Sequence, residues 1–144
     1  MKENNVQLFV YGSLRSGFKS DAYQYISKYF KLIGAATAKG LLYDMGTYPV
    51  ATPTIEEHFI VGELYEIIDK NAFDFVIAQL DDYEGLVQEE DEETLYIRTL
   101  TDVYVNDKIH SKAYVYWFCG DIKFKQVITS GDVLAYFEQK KKGL

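Results

Sequence analysis

Residues 59–85 read FIVGELYEIIDKNAFDFVIAQLDDYEG, and the spacing of apolar residues changes partway through. Phe59 to Ile68 is dense in β-branched, aromatic and other apolar residues, which predicts a strand. Asp69 is a helix-capping residue. From about Lys70 to Tyr83 the apolar positions Phe73, Val76, Ile77 and Leu80 recur at three- and four-residue spacing, which predicts a helix that Gly85 stops. A strong strand running almost directly into an amphipathic helix makes the chain a mixture of both element types.

The flanking segments extend that pattern. Val6 to Tyr11 predicts a buried strand, broken by Gly12-Ser13-Leu14-Arg15-Ser16-Gly17. Asp21 to Phe30 predicts a short helix capped by Ser20 or Asp21, and Lys31 to Leu42 an extended segment interrupted at Gly34 and Gly40. Tyr43 to Pro49 has the chemistry of a loop, and Gln88 to Glu93 that of a solvated acidic loop. Leu95–Val105 and Ile109–Phe118 predict two strands joined by a turn at Asn106-Asp107-Lys108, and Ser130 or Asp132 caps a last helix reaching about Lys142. Strands with separated helices give an α+β class whose sheet is able to close into a barrel.

Composition narrows the function classes. The 144 residues, 48% apolar and 26% charged, with two prolines and no linker-like tract, predict one domain over residues 1–144. A formal charge of −7 with no basic cluster beyond Lys140-Lys141-Lys142 argues against nucleic acid as partner. No apolar run reaches the roughly 18–20 residues of a membrane span, and the N-terminus does not read as a signal peptide, so a cytoplasmic protein is expected. A single cysteine excludes an internal disulfide and any CxxC motif. Thirteen tyrosines favour a curved sheet or small barrel with a polar interior. No long exposed apolar stripe marks a subunit interface, so the oligomeric state stays unassigned.

Two places can carry chemistry. Glu84 lies four residues after Leu80 and eleven after Phe73, which returns it to the phase of the buried stripe, whereas Asp81 and Asp82 turn toward solvent. A carboxylate facing a core is costly and its pKa rises, as a general acid/base requires. The spacing equally allows Glu84 to turn outward at a frayed helix end or to pair with Arg98. The other place is the turn after the first strand, where Gly12 leaves consecutive backbone N–H groups able to hold a carboxylate or an oxyanion. It is also compatible with an ordinary glycine turn. A phosphate-loop reading of Gly12 to Ser20 fails because Phe18 displaces Lys19 and Ser20 from the positions that would meet phosphate and Mg²⁺. Ser13 lacks the strained GxSxG setting of a nucleophile. His58 and His110 stand alone in polar stretches, Cys119 reads as packing, and the 88–93 run lacks a calcium-loop pattern, so no metal site is expected.

Together these segments resemble the gamma-glutamylcyclotransferase-like superfamily. Tyr11-Gly12-Ser13-Leu14 resembles its YGSL signature and Leu80-Asp81-Asp82-Tyr83-Glu84-Gly85 its LDxYEG motif. Gly40-Leu41-Leu42-Tyr43 with Tyr48-Pro49 and Val61-Gly62-Glu63-Leu64-Tyr65 lie between these two motifs, and Tyr96-x-Arg98 and Ser130-Gly131-Asp132 come after them. The resemblance implies a small mixed β-barrel with flanking helices and a cavity at one end. Tyr11, Gly12, Ser13 and Leu14 would bind a small gamma-glutamyl substrate, and Glu84 would be the acid/base that cyclises it to 5-oxoproline without metal or cofactor. The loops at 43–49 and 86–95 would choose the leaving amine. The competing class is a non-enzymatic ligand-binding or regulatory protein on the same fold.

Overall fold

Side-chain alternation in the strands decides how the sheet closes. The computed structural model describes residues 6–11, 21–45, 49–84, 96–120, 122, 123, 125–133, 135, 136 and 138. In chain order these form β1 (Gln7–Val10), α1 (Asp21–Tyr29), β2 (Phe30–Asp44), β3 (Pro49–Pro53), β4 (Phe59–Ile67), α2 (Phe73–Glu84), β5 (Tyr96–Val105), β6 (Lys108–Phe118) and β7 (Gln126–Val127). Strands β2, β4, β1, β6 and β5 are neighbours in that order, and β5 returns to β2 at Thr37↔Tyr104 and Ala38↔Val103. That closes a five-stranded barrel. Only the β1–β6 pair is parallel, with Leu8 opposite Tyr114, so the barrel is mixed. Closure is narrow, since only Val103 and Tyr104 of β5 pair with β2. Beyond the barrel, the far half of β2 pairs with β3 and with β7.

Alternating positions then sort into two cores. Phe9, Tyr11, Leu42, Ile60, Leu64, Val115 and Trp117 pack together inside the barrel. Their sequence neighbours Leu8, Val10, Tyr65 and Tyr116 join Ile26, Val76, Ile77 and Leu80 in a second cluster, which seats both helices on the wall. Each such side chain contributes about 1.5–3 kcal/mol by leaving water. The described interior is apolar rather than polar, and tyrosines 65 and 116 lie outside it, under the helices. No described helix is long and apolar enough to cross a membrane.

Several boundaries differ from expectation for identifiable reasons. The predicted strand 6–11 is β1 with four buried residues, and the 109–118 strand starts one residue earlier. Gly40 does not interrupt β2. It lies under the Trp117 ring, where a Cβ would come within 2.9 Å of Cζ3. Gly34 marks a bulge instead, since the β2–β4 register steps from Leu32↔Tyr65 to Gly34↔Leu64. The expected 43–49 loop is shorter, because Tyr43 and Asp44 belong to β2 and Pro49 opens β3. Strand β3 escaped prediction because its two prolines argue against a strand; they sit at its ends, facing no second ladder. The hairpin turn is Asn106-Asp107 alone, with φ of 53° and 65°, a type I′ pattern.

The helices start where capping side chains meet free backbone N–H groups. The Asp69 side chain accepts from the Asn71 N–H at 2.9 Å and opens a 3-10 turn, Lys70–Ala72, that continues into α2. Val76, Ile77 and Leu80 are buried as the period demands. Asp132 makes the expected capping contact, its Oδ1 accepting from the Ala135 N–H at 3.2 Å. Gly12 to Ser20, Gly85, the 88–93 run and Lys140-Lys141-Lys142 lie outside the described residues.

Candidate active site

Tyr11 leaves β1 pointing into the barrel, 8% exposed, where its ring stacks on Trp117 with centroids 6.4 Å apart. Its hydroxyl donates to the Tyr116 carbonyl at 2.6 Å. The parallel register explains the pairing: with Leu8 opposite Tyr114, the chain two residues on brings Val10 level with Tyr116. Trp117 is held in turn by its Nε1–H, which donates to Thr101 Oγ1 at 3.2 Å.

Tyr116 faces the opposite way from Trp117, outward toward α2. Its hydroxyl donates to Asp81 Oδ1 at 2.7 Å. One residue of the wall therefore grips both sides. Its carbonyl holds Tyr11, and its hydroxyl holds the last turn of α2, three residues before Glu84. The end of β1 and the end of α2 are thereby drawn to the same part of the barrel.

Arg98 completes this cluster from β5, where it pairs with Tyr116 in register. Its Nη1 lies 3.4 Å from both Asp81 oxygens, and its guanidinium sits 5.3 Å from the Tyr114 ring centroid. Among the described residues, Arg98 Nε is buried without a hydrogen-bond partner. At 3.4 Å from a single nitrogen the ion pair is at the weak limit of hydrogen-bond geometry, so the 2.7 Å Tyr116 bond is the stronger hold on Asp81.

Asp81 was expected to face solvent, but its side chain is only 17% exposed and engaged on the wall. Phase counted from Leu80 misplaced it because a facing tyrosine hydroxyl bends a short polar side chain inward. Glu84 closes α2 as its last residue, and its side chain, like those of Asp82 and Tyr83, lies outside the described residues. Gly12, Ser13 and Leu14 lie outside them as well. Sequence reasoning missed Tyr116 and Trp117. The available signal was the alternation in Tyr114-Val115-Tyr116-Trp117, which puts two tyrosines on the face under α2.

Other candidates gain nothing from the structure. Among the described residues no group of three or more His, Cys, Asp or Glu could hold a metal ion. His58 and His110 are exposed, with His58 3.6 Å from Glu56. Cys119 is exposed just beyond β6, which corrects its assignment to packing.

Comparison with known proteins gives a consistent result. A family model described as gamma-glutamyl cyclotransferase, AIG2-like, matches residues 8–135. No curated protein sequence matches the chain. Among solved structures, YkqA of Bacillus subtilis superposes with a TM-score of 0.69 at 26% identity over 96% of this chain, which spans 43% of YkqA. The Escherichia coli protein ytfP gives 0.61 at 26% identity, covering 92% of this chain and 99% of ytfP. An AIG2-like protein of Mus musculus gives 0.59 at 22% identity, covering 81% and 79% of the two chains.

Proposed function

The chain belongs to the gamma-glutamyl cyclotransferase, AIG2-like family, and on that premise we propose that it cyclises the gamma-glutamyl group of a small substrate to 5-oxoproline, with Glu84 as general acid and base. In this reaction the free α-amine of the glutamyl group attacks its own γ-carbonyl. A new C–N bond closes the five-membered lactam, the old amide C–N bond breaks, and the amine departs. Both reacting groups are already tethered, so little entropy remains for the enzyme to remove. Its tasks are to take a proton from the attacking ammonium, hold the oxyanion and return a proton to the leaving nitrogen.

One carboxylate shuttling one proton performs the first and third tasks, and Glu84 is the residue proposed for it. Backbone N–H groups of Gly12, Ser13 and Leu14 are proposed to hold the oxyanion or the substrate α-carboxylate. Tyr11 would fix the start of that segment, its ring locked against Trp117 and its hydroxyl spent on the Tyr116 carbonyl.

The observation that carries this reading is the double grip of Tyr116, which ties the strand leading into the proposed cradle to the helix ending in the proposed acid/base. The test is to incubate the protein with gamma-glutamyl amino acids, gamma-glutamyl-ε-lysine and glutathione, and to measure 5-oxoproline. Wild type is expected to form it from at least one substrate. Glu84→Gln is expected to lose about 100-fold or more, since a positioned proton donor contributes roughly 100- to 10,000-fold. No product from wild type, or equal turnover by the variant, would sink the proposal.

A further inference from the structure

We infer that Asp81 and Tyr116 are positioning residues that clamp the final turn of α2, and with it Glu84, against the barrel wall. The inference rests on Glu84 being the acid/base, and hydrogen exchange measured without substrate separates the clamp from that role.

The last turn of α2 is built against its own local stability. Residues 81, 82 and 84 are all acidic, and the turn contains no basic residue. The C-terminal end of a helix carries the negative pole of the macrodipole, so each of these carboxylates is placed where the helix repels it. Asp81 and Glu84 are also a like-charge pair at three-residue spacing, which destabilises the turn further. A turn of this composition frays unless something outside the helix holds it.

The wall supplies that hold at one residue. The Tyr116 hydroxyl donates to Asp81 Oδ1 at 2.7 Å, and the Arg98 guanidinium, 3.4 Å away, adds an opposite charge. Leu80, the residue before, is 2% exposed and anchored among Leu8, Val10 and Tyr116. Beyond Asp81 the helix runs only three residues. The clamp thus acts at the last described side chain of the helix, one turn from its end, and it orients the three residues that follow. A local conflict kept in place by a dedicated contact is what functional sites show and packing alone does not need.

The experiment compares wild type with Tyr116→Phe, Asp81→Ala, Asp81→Asn and the Tyr116→Phe/Asp81→Ala double variant, each assayed well below its own melting temperature. Tyr116→Phe removes only the hydroxyl and keeps the carbonyl that holds Tyr11. It and Asp81→Ala are expected to lower kcat about 10- to 100-fold, the effect of a catalytic group misplaced by about 1 Å, with KM changed less than about twofold. Asp81→Asn keeps an acceptor for the hydroxyl and is expected to restore most of kcat. The double variant is expected to be no worse than Asp81→Ala alone, since Tyr116→Phe removes only a contact that Asp81→Ala already breaks.

Amide hydrogen exchange over residues 81–84 reads the clamp with no substrate present. It is expected to quicken about tenfold or more in Tyr116→Phe while the rest of α2 is unchanged. Unchanged exchange there overturns the clamp whatever the activity. Wild-type kcat in Tyr116→Phe, or additive losses in the double variant, overturns its role in positioning. Quickened exchange in a protein whose wild type forms no 5-oxoproline upholds the clamp and refutes the cyclisation reading instead.

Discussion

Gly62→Ala probes the packing that holds Tyr11. A Cβ at residue 62 would lie 2.2 Å from the Val10 carbonyl oxygen and 2.6 Å from Phe9 Cζ. The Phe9 ring can shift, but Val10 belongs to the β1–β4 ladder, opposite Glu63, and its oxygen cannot. A carbon–oxygen contact normally needs about 3.3 Å, so β1 and β4 must part locally by about 1 Å. Overpacking of this kind costs about 1–3 kcal/mol, and a strained neighbouring ladder bond adds about 0.5–1.5 kcal/mol. A total near 3 kcal/mol lowers the melting temperature by about 6–12 °C in a chain of this size. Trp117, the one tryptophan and 1% exposed, reports the transition by its fluorescence. A melting temperature within about 2 °C of wild type, below the shift expected for even 1 kcal/mol, would refute the close approach.

Two further substitutions test the turn and the surface. Asp107→Gly puts glycine at a φ of 65° in the two-residue turn, and is expected to stabilise by about 0.5 kcal/mol, because relief of the left-handed conformation outweighs glycine's added entropy. Thermal unfolding should rise by about 1–2 °C, and a fall would contradict the type I′ assignment. Lys39→Ala removes an ion pair at 3.4 Å whose partner Glu57 is 82% exposed, and denaturant titration should register less than about 0.5 kcal/mol. A loss well above that would mean Lys39 acts through contacts other than Glu57.

The sequence announced most elements but not the joints between them. Strand β4 and helix α2 were legible because Phe59–Ile67 and the Val76, Ile77, Leu80 stripe obey simple periods. Strand β3 was hidden by Pro49 and Pro53, which a strand tolerates only where no second neighbour needs their N–H. Gly34 and Gly40 looked alike as interruptions, yet one forms a bulge and the other makes room for Trp117, a distinction set by residues far away in sequence. At the candidate site, Tyr11 was legible from its position at a strand end. Asp81 was not, because its direction is decided by a hydroxyl 35 residues away, which helix phase cannot register.

The parallel pairing of β1 with β6 also bears on how the protein is made. Leu8 meets Tyr114, and the Tyr11 hydroxyl meets a carbonyl 105 residues later in the chain. During synthesis at about 5–20 residues per second, β1 therefore waits roughly 5–20 s before its second neighbour emerges from the ribosome. All four of its side chains are ones the finished protein buries. Until β6 arrives the barrel cannot close, and an apolar strand with an unsatisfied edge stays open to wrong partners. Late closure is the kinetic counterpart of a barrel whose first strand is bracketed by its fourth and its sixth.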